Sequence, residues 1–174
     1  TGTTSDNSGI RMINNLTLDV INTFKTNIKV GITGSGDERA FDSIRQALTA
    51  TQGSGINSSY NFRRNDAFLA IIIISDEEDY SRNDAAVSGC TPGDNPASCN
   101  NPRPISDYTT YLDTFTSSTP TDRKYSVNAI GVFDSACLAA NPSSEGHMGL
   151  RYLDLASVTN GVTGSICDTN FSQN

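Results

Sequence analysis

Residues 68–79 read FLAIIIIS followed by DEED, and no other stretch constrains the fold as strongly. Four consecutive isoleucines crowd one another's χ1 angles in a helix, and the run is too short for a buried helix. An unbroken β-branched run without alternation predicts a strand buried on both faces, the habit of a parallel sheet covered by helices. In open α/β sheets, ligands collect just outside the carboxyl ends of the strands. Here that place is taken by Asp76, Glu77, Glu78 and Asp79.

The rest of the chain alternates around this strand. Met12, Ile13, Leu16, Val20, Ile21 and Phe24 have helical spacing. Residues 27–32 alternate like a short strand near a sheet edge. Ala40, Phe41, Ile44, Ala47 and Leu48 form the stripe of an amphipathic helix, with Asp37 and Glu38 expected in its first turn, at the positive end of the helix dipole. After the isoleucine strand, residues 80–104 are a long loop rich in Pro and Gly. Ser106 is placed to cap a helix that turns Tyr108, Tyr111, Leu112 and Phe115 inward and stops before Pro120. Residues 125–133 read as a strand with Asp134 and Ser135 at its carboxyl end, followed by a loop holding Cys137 and His147. Leu150, Leu153 and Ala156 mark a third helix ending at Asn160 and Gly161, before a last strand over 162–167 and the start of a further helix at 171–174. This order predicts one α/β domain over 1–174, with 1–11 a polar entry segment. Its architecture is a three-layer, doubly wound, Rossmann-type fold, a mostly parallel sheet with helices on both faces.

The net charge of −7 argues against a nucleic-acid partner, which needs a basic face. No stretch is long and apolar enough to span a bilayer. The four cysteines allow three pairings. Cys90 and Cys99 flank a turn-rich loop that closes easily on itself, which leaves Cys137 for Cys167. Zinc is the rival, but there is no CxxC pair and His147 is the sole histidine. Disulfides imply an oxidising compartment: extracellular, cell-surface or periplasmic. The chain contains neither a GxSxG elbow nor a P-loop, and it reads as non-enzymatic.

Several segments, in order, resemble the von Willebrand factor A (VWA, integrin I-like) domains of secreted bacterial proteins. VGITGSGDE at 30–38 leads into the 41–48 helix. FRRNDA at 62–67 leads into the isoleucine strand and SDEEDYS at 75–81. RYLDLA at 151–156 leads to TNG at 159–161 and SIC at 165–167. In such domains a divalent cation sits at the top of the sheet in a metal-ion-dependent adhesion site. Its ligands come from a DxSxS motif after the first strand, a Thr in a second loop, and an Asp after the later buried strand. Asp76 matches that last position. The second position falls near Gly36, Asp37 and Glu38, where no Thr stands, so Glu38 or Asp37 would supply the oxygen. Asp6 and Ser8 give only a partial DxSxS, with Ile10 at the final position and no apolar strand before it. The resemblance therefore implies that the first strand and first metal loop lie upstream of Thr1. It also implies an open sheet edge covered by another segment or chain.

The resemblance implies an extracellular adhesion or ligand-binding domain whose partner is a protein or glycan on another cell or in the matrix. The implied cofactor is Ca²⁺ or Mg²⁺, bound by Asp76, Glu38, Asp37, Asp6 and Ser8. Glu78, Asp79, Tyr80 and Arg63 are the candidate ligand-contacting residues. Asp134, Ser135, Arg64 and Tyr60 are weaker candidates. Each has a simpler reading: solvated acids, helix-end carboxylates, a turn at Asp6, local ion pairs, or aromatics packed under a loop. The alternative function is a metal-free structural or assembly module of a surface fibre or secreted complex. A weaker one is a glycan-processing enzyme with carboxylates facing across a cleft.

Overall fold

The computed structural model describes residues 9–10, 12–29, 38–52, 55, 57–60, 62–82, 102–141 and 146–168. Within them lie α1 (Val20–Asn27), α2 (Ala40–Thr49), β1 (Leu69–Ile74), α3 (Ile105–Thr116), β2 (Tyr125–Gly131), α4 (Ser135–Ala140), α5 (Leu150–Val158) and β3 (Thr163–Ser165). The strands form one open parallel sheet in the order β1-β2-β3. Leu69 stands opposite Tyr125 and Ile74 opposite Ile130, while Ala129 to Gly131 pair with Thr163 to Ser165. The molecule is thus a mixed α/β protein built on a small parallel sheet.

The core lies on one face of the sheet. Leu69, Ile71 and Ile73 of β1 align with Tyr125, Val127 and Ala129 of β2, and Phe41, Leu48, Tyr108, Leu112, Tyr152 and Leu155 cover them. Phe41 sits at the centre, its ring edge-on to Tyr108 at 5.0 Å and to Tyr152 at 5.4 Å. The hydroxyl of the buried Thr159 accepts the Val127 N–H at 3.0 Å and donates to Leu155 O at 2.8 Å, pinning the end of α5 to β2. Just beyond, Gly161 lies so close to the strand that a Cβ there would fall 1.8 Å from Val127 O. Helix α5 thus stops at Val158 with Thr159 as its C-cap, and Asn160, with φ 53°, and Gly161 lead the chain past β2.

The other face corrects the expectation of a strand buried on both sides. Phe68, Ile72 and Ile74 are 61%, 66% and 67% exposed. Helices α2, α3 and α5 supply one apolar layer, and the even-numbered positions of β1 face away from it. On β2 that outer face carries Ser126, Asn128 and Ile130. Asn128 donates to Ile71 O at 3.0 Å and accepts the Val162 N–H at 3.0 Å, lacing the three strands together.

Further differences have local causes. The helix read from Met12 begins only at Val20, because Asn14 draws the backbone into a turn: its side chain accepts the Leu16 N–H at 2.8 Å, and its carbonyl accepts the Thr17 N–H. Asp19 then caps α1 by accepting the Asn22 N–H. The edge strand expected over 27–32 is not one at its start: Asn27 ends α1 and Ile28 is its C-cap. Residues 30–32 lie outside the described residues, as do 171–174. Helix α3 starts one residue before Ser106, with Pro104 at the N-cap. It ends at Thr116 with Ser117 left-handed. Helix α2 starts at Ala40, so Glu38 precedes its N-cap Arg39 and Asp42 is the acid of its first turn, and helix α4 falls in a segment read as loop.

Candidate functional site

The acids after β1 divide into two groups. Ser75 continues the ladder by donating its N–H to Ile130 O at 3.1 Å, and its hydroxyl then accepts the Glu77 N–H at 3.1 Å. This turn leaves Asp76 half-buried at the carboxyl end of β1 and sends Glu78 and Asp79 inward. Glu78 is 4% exposed and Asp79 0%. Buried carboxylates must find donors or ion partners, and both acids find helix N-termini.

Asp79 Oδ1 accepts the N–H of Phe41 in the first turn of α2 at 3.0 Å and the Ser81 hydroxyl at 2.9 Å. Its Oδ2 accepts Arg151 Nε at 3.1 Å and the Ser81 N–H at 3.2 Å. The Ser81 hydroxyl in turn accepts the Asp42 N–H at 3.0 Å. Glu78 accepts the N–H of Arg151 in the first turn of α5, 3.2 Å from each carboxylate oxygen, and the Asp79 N–H at 2.7 Å. The N-cap positions of α2 and α5 are Arg39 and Gly149, and neither makes a side-chain cap hydrogen bond. The loop after β1 supplies what these positions lack, placing negative charge at the positive ends of two helices. Burial pushes the Glu78 carboxyl up to about 7, against the Asp79 and Arg151 N–H groups that favour its ionised form. Burial also pushes Asp79 up, opposed by the Phe41 N–H, Arg151 and Ser81.

The same network holds the neighbouring segments. The Tyr80 N–H donates to the backbone carbonyl of Glu38 at 2.7 Å, which brings the start of α2 against this loop. Arg151 Nη2 donates to Arg103 O at 2.7 Å, and the Arg103 N–H donates to Ser81 O at 3.1 Å. Arg103 also pairs with Asp42 at 3.3 Å, and Asp42 accepts the Tyr108 hydroxyl at 3.0 Å. Arg82 and Pro102 form a bridge, so the two ends of the long loop leave and return side by side. Tyr152 lies beneath, its hydroxyl driven far up by burial and by the nearby charges of Asp79, Glu78 and Glu38.

Of the residues singled out from sequence, Asp76 and the backbone of Glu38 come to the same end of the sheet. Asp6, Ser8, Asp37, Cys90 and Cys99 lie outside the described residues. Glu78, Asp79 and Tyr80, expected to meet a ligand, are instead buried. Arg63 turns onto its own loop: Nη1 donates to Arg64 O and to Ala67 O, and the guanidinium lies 5.9 Å from the Phe115 ring centre. Asp134 caps α4 by accepting the Ala136 and Cys137 N–H groups. The disulfide between Cys137 and Cys167 forms as expected, tying α4 to the segment after β3. Arg151 was missed. Its one legible signal was an arginine in the first turn of a helix, where a cation is unfavourable unless an acid meets it. Among the described residues, no three His, Cys, Asp or Glu side chains come together as a metal centre. No helix of the described residues is long and apolar enough to cross a membrane. Comparison with protein-family models, curated proteins and solved structures yields no match to this chain.

Proposed function

We propose that this chain is a non-enzymatic, extracellular ligand-binding domain of the VWA type that recognises a protein or glycan with the loops at the carboxyl end of its sheet. The observation that carries this reading is the division of the acidic loop. Glu78 and Asp79 are committed to the N-termini of α5 and α2, and this rigid base holds Asp76 at the end of β1. A ligand-contacting group is best presented by a segment that the scaffold itself locks. Supporting it are the order of motifs along the sequence, the parallel α/β sheet and the Cys137–Cys167 disulfide. The described residues do not by themselves compose a cation site. A divalent cation therefore enters only through Asp76.

Isothermal titration of Ca²⁺, Mg²⁺ and Mn²⁺ into the chain tests the cation. Heat that disappears in Asp76→Ala supports cation-assisted recognition. Absence of heat with all three ions removes the cation from the proposal.

A second reading, a metal-free assembly module, is favoured by a different observation: the exposed isoleucines on the outer face of β1. Large apolar side chains grouped on a strand at a sheet edge mark a surface built to be covered.

A further inference from the structure

The hydrogen bonds of β1 show which way its backbone faces. Leu69 donates to Lys124 O and Ser75 to Ile130 O, so the odd-numbered residues turn their N–H and C=O groups toward β2. Ala70, Ile72 and Ile74 turn theirs toward the opposite edge. Among the described residues no strand pairs with that edge. Edge strands are ordinarily protected by a charge, a proline or a bulge. Residues 68–74 contain neither charge nor proline, and the β1 register runs without interruption.

From this we infer that two copies of the chain pair antiparallel along β1, with Ile72 on the twofold axis. The inference rests on the assembly reading above. The strand is self-complementary in this register. Ile72 opposes Ile72 and Ala70 opposes Ile74, so residues of like parity meet. Both copies then keep their helices on the same side of a continuous sheet, ordered β3-β2-β1-β1-β2-β3. The outward backbone groups of Ala70, Ile72 and Ile74 meet their counterparts in hydrogen-bonded pairs. No like charges face each other along the strand, and the two acidic loops fall at opposite ends of the seam. The isoleucine strands become central, the place their composition suits. A contact one strand long falls short of the ~800 Å² per partner of a standard interface. The dimer is therefore reversible and concentration-dependent.

Sedimentation velocity of the 1–174 chain over a concentration series, with amide hydrogen exchange on the same samples, tests this. The expected result is a monomer–dimer equilibrium, with the amides of Ala70, Ile72 and Ile74 gaining protection as dimer forms. Ile72→Lys sets two cations against each other on the axis and is expected to weaken the dimer roughly tenfold or more. At concentrations where the parent chain is monomeric its melting temperature stays unchanged, because Ile72 is exposed in the monomer. A monomer at every concentration, or a dimer indifferent to Ile72→Lys, overturns the inference. In the monomer case a synthetic peptide of residues 68–74 separates two failures. If the peptide protects the edge amides, self-pairing is wrong and the assembly reading stands. If it does not, both are wrong.

Discussion

Glu78, on the loop after β1, accepts the backbone N–H of Arg151 in the first turn of α5, 73 residues further along the chain. Beside it, Asp79 accepts the Phe41 N–H of α2 and the Arg151 guanidinium. Two adjacent acids thus fasten two helices to the end of one strand. The loop that looks most like a ligand site from its composition is in half of its length a structural joint.

The Glu78 carboxyl makes stability depend on pH in an unusual direction. Its pKa is raised from 4.5 to about 7 in the folded chain. Between these values the folded state holds the proton more tightly than the unfolded state. The contribution is fully present below pH 4.5 and is lost as pH rises through 7, on the order of 3 kcal/mol. Glu78→Gln keeps an acceptor for the Arg151 N–H without an ionisable group. Urea unfolding of both proteins from pH 4.5 to 8 is expected to show the variant with a flatter profile, gaining on the parent chain as pH rises.

The Cys137–Cys167 disulfide joins residues 30 apart in sequence. Closing a loop of that length stabilises by about 3–4 kcal/mol through the unfolded chain. Cys137→Ser with Cys167→Ser is expected to lower the melting temperature, and reductant is expected to have no further effect at this site. The parent chain melting no higher than the double variant would show that the bridge adds nothing.

Gly161 is held against Val127 O, where an added Cβ meets backbone and cannot be relieved by a side-chain rotation. Gly161→Ala should cost about 2 kcal/mol or more. Gly146, with open space around its Cβ position, is the control. Since Gly146 has φ +79°, its alanine variant bears only local strain, of about 1 kcal/mol. Thermal melts of the two variants check the difference.

Much of the scaffold was legible because its elements have strong periodicity. Phe41, Ile44 and Leu48 announce α2, and Tyr108, Leu112 and Phe115 announce α3. The isoleucine run announces β1, and Asn160 with Gly161 announces the end of α5. The one-sided burial of β1 was not legible, since a run apolar on both faces does not say which face its own helices will cover. Helix α4 was hidden because six residues between a capping Asp134 and Asn141 carry too little periodicity. The inward turn of Glu78 and Asp79 left its traces elsewhere, at Arg39 and Gly149, N-cap positions without a capping side chain, and at Arg151, a cation in a first turn. Capping across a long sequence separation shows as a missing local acceptor, not as a motif.

The division of the acidic loop into a buried joint and a presented acid is tested most directly by comparing urea unfolding of Asp79→Asn and Asp76→Asn at pH 7. Asp79→Asn removes the charge that meets Arg151 and is expected to lose about 3 kcal/mol, the cost of a buried ion pair broken on one side. Asp76→Asn, at a half-buried position outside the joint, is expected to lose less than Asp79→Asn. Equal losses in the two variants, or a larger loss for Asp76→Asn, would contradict the division.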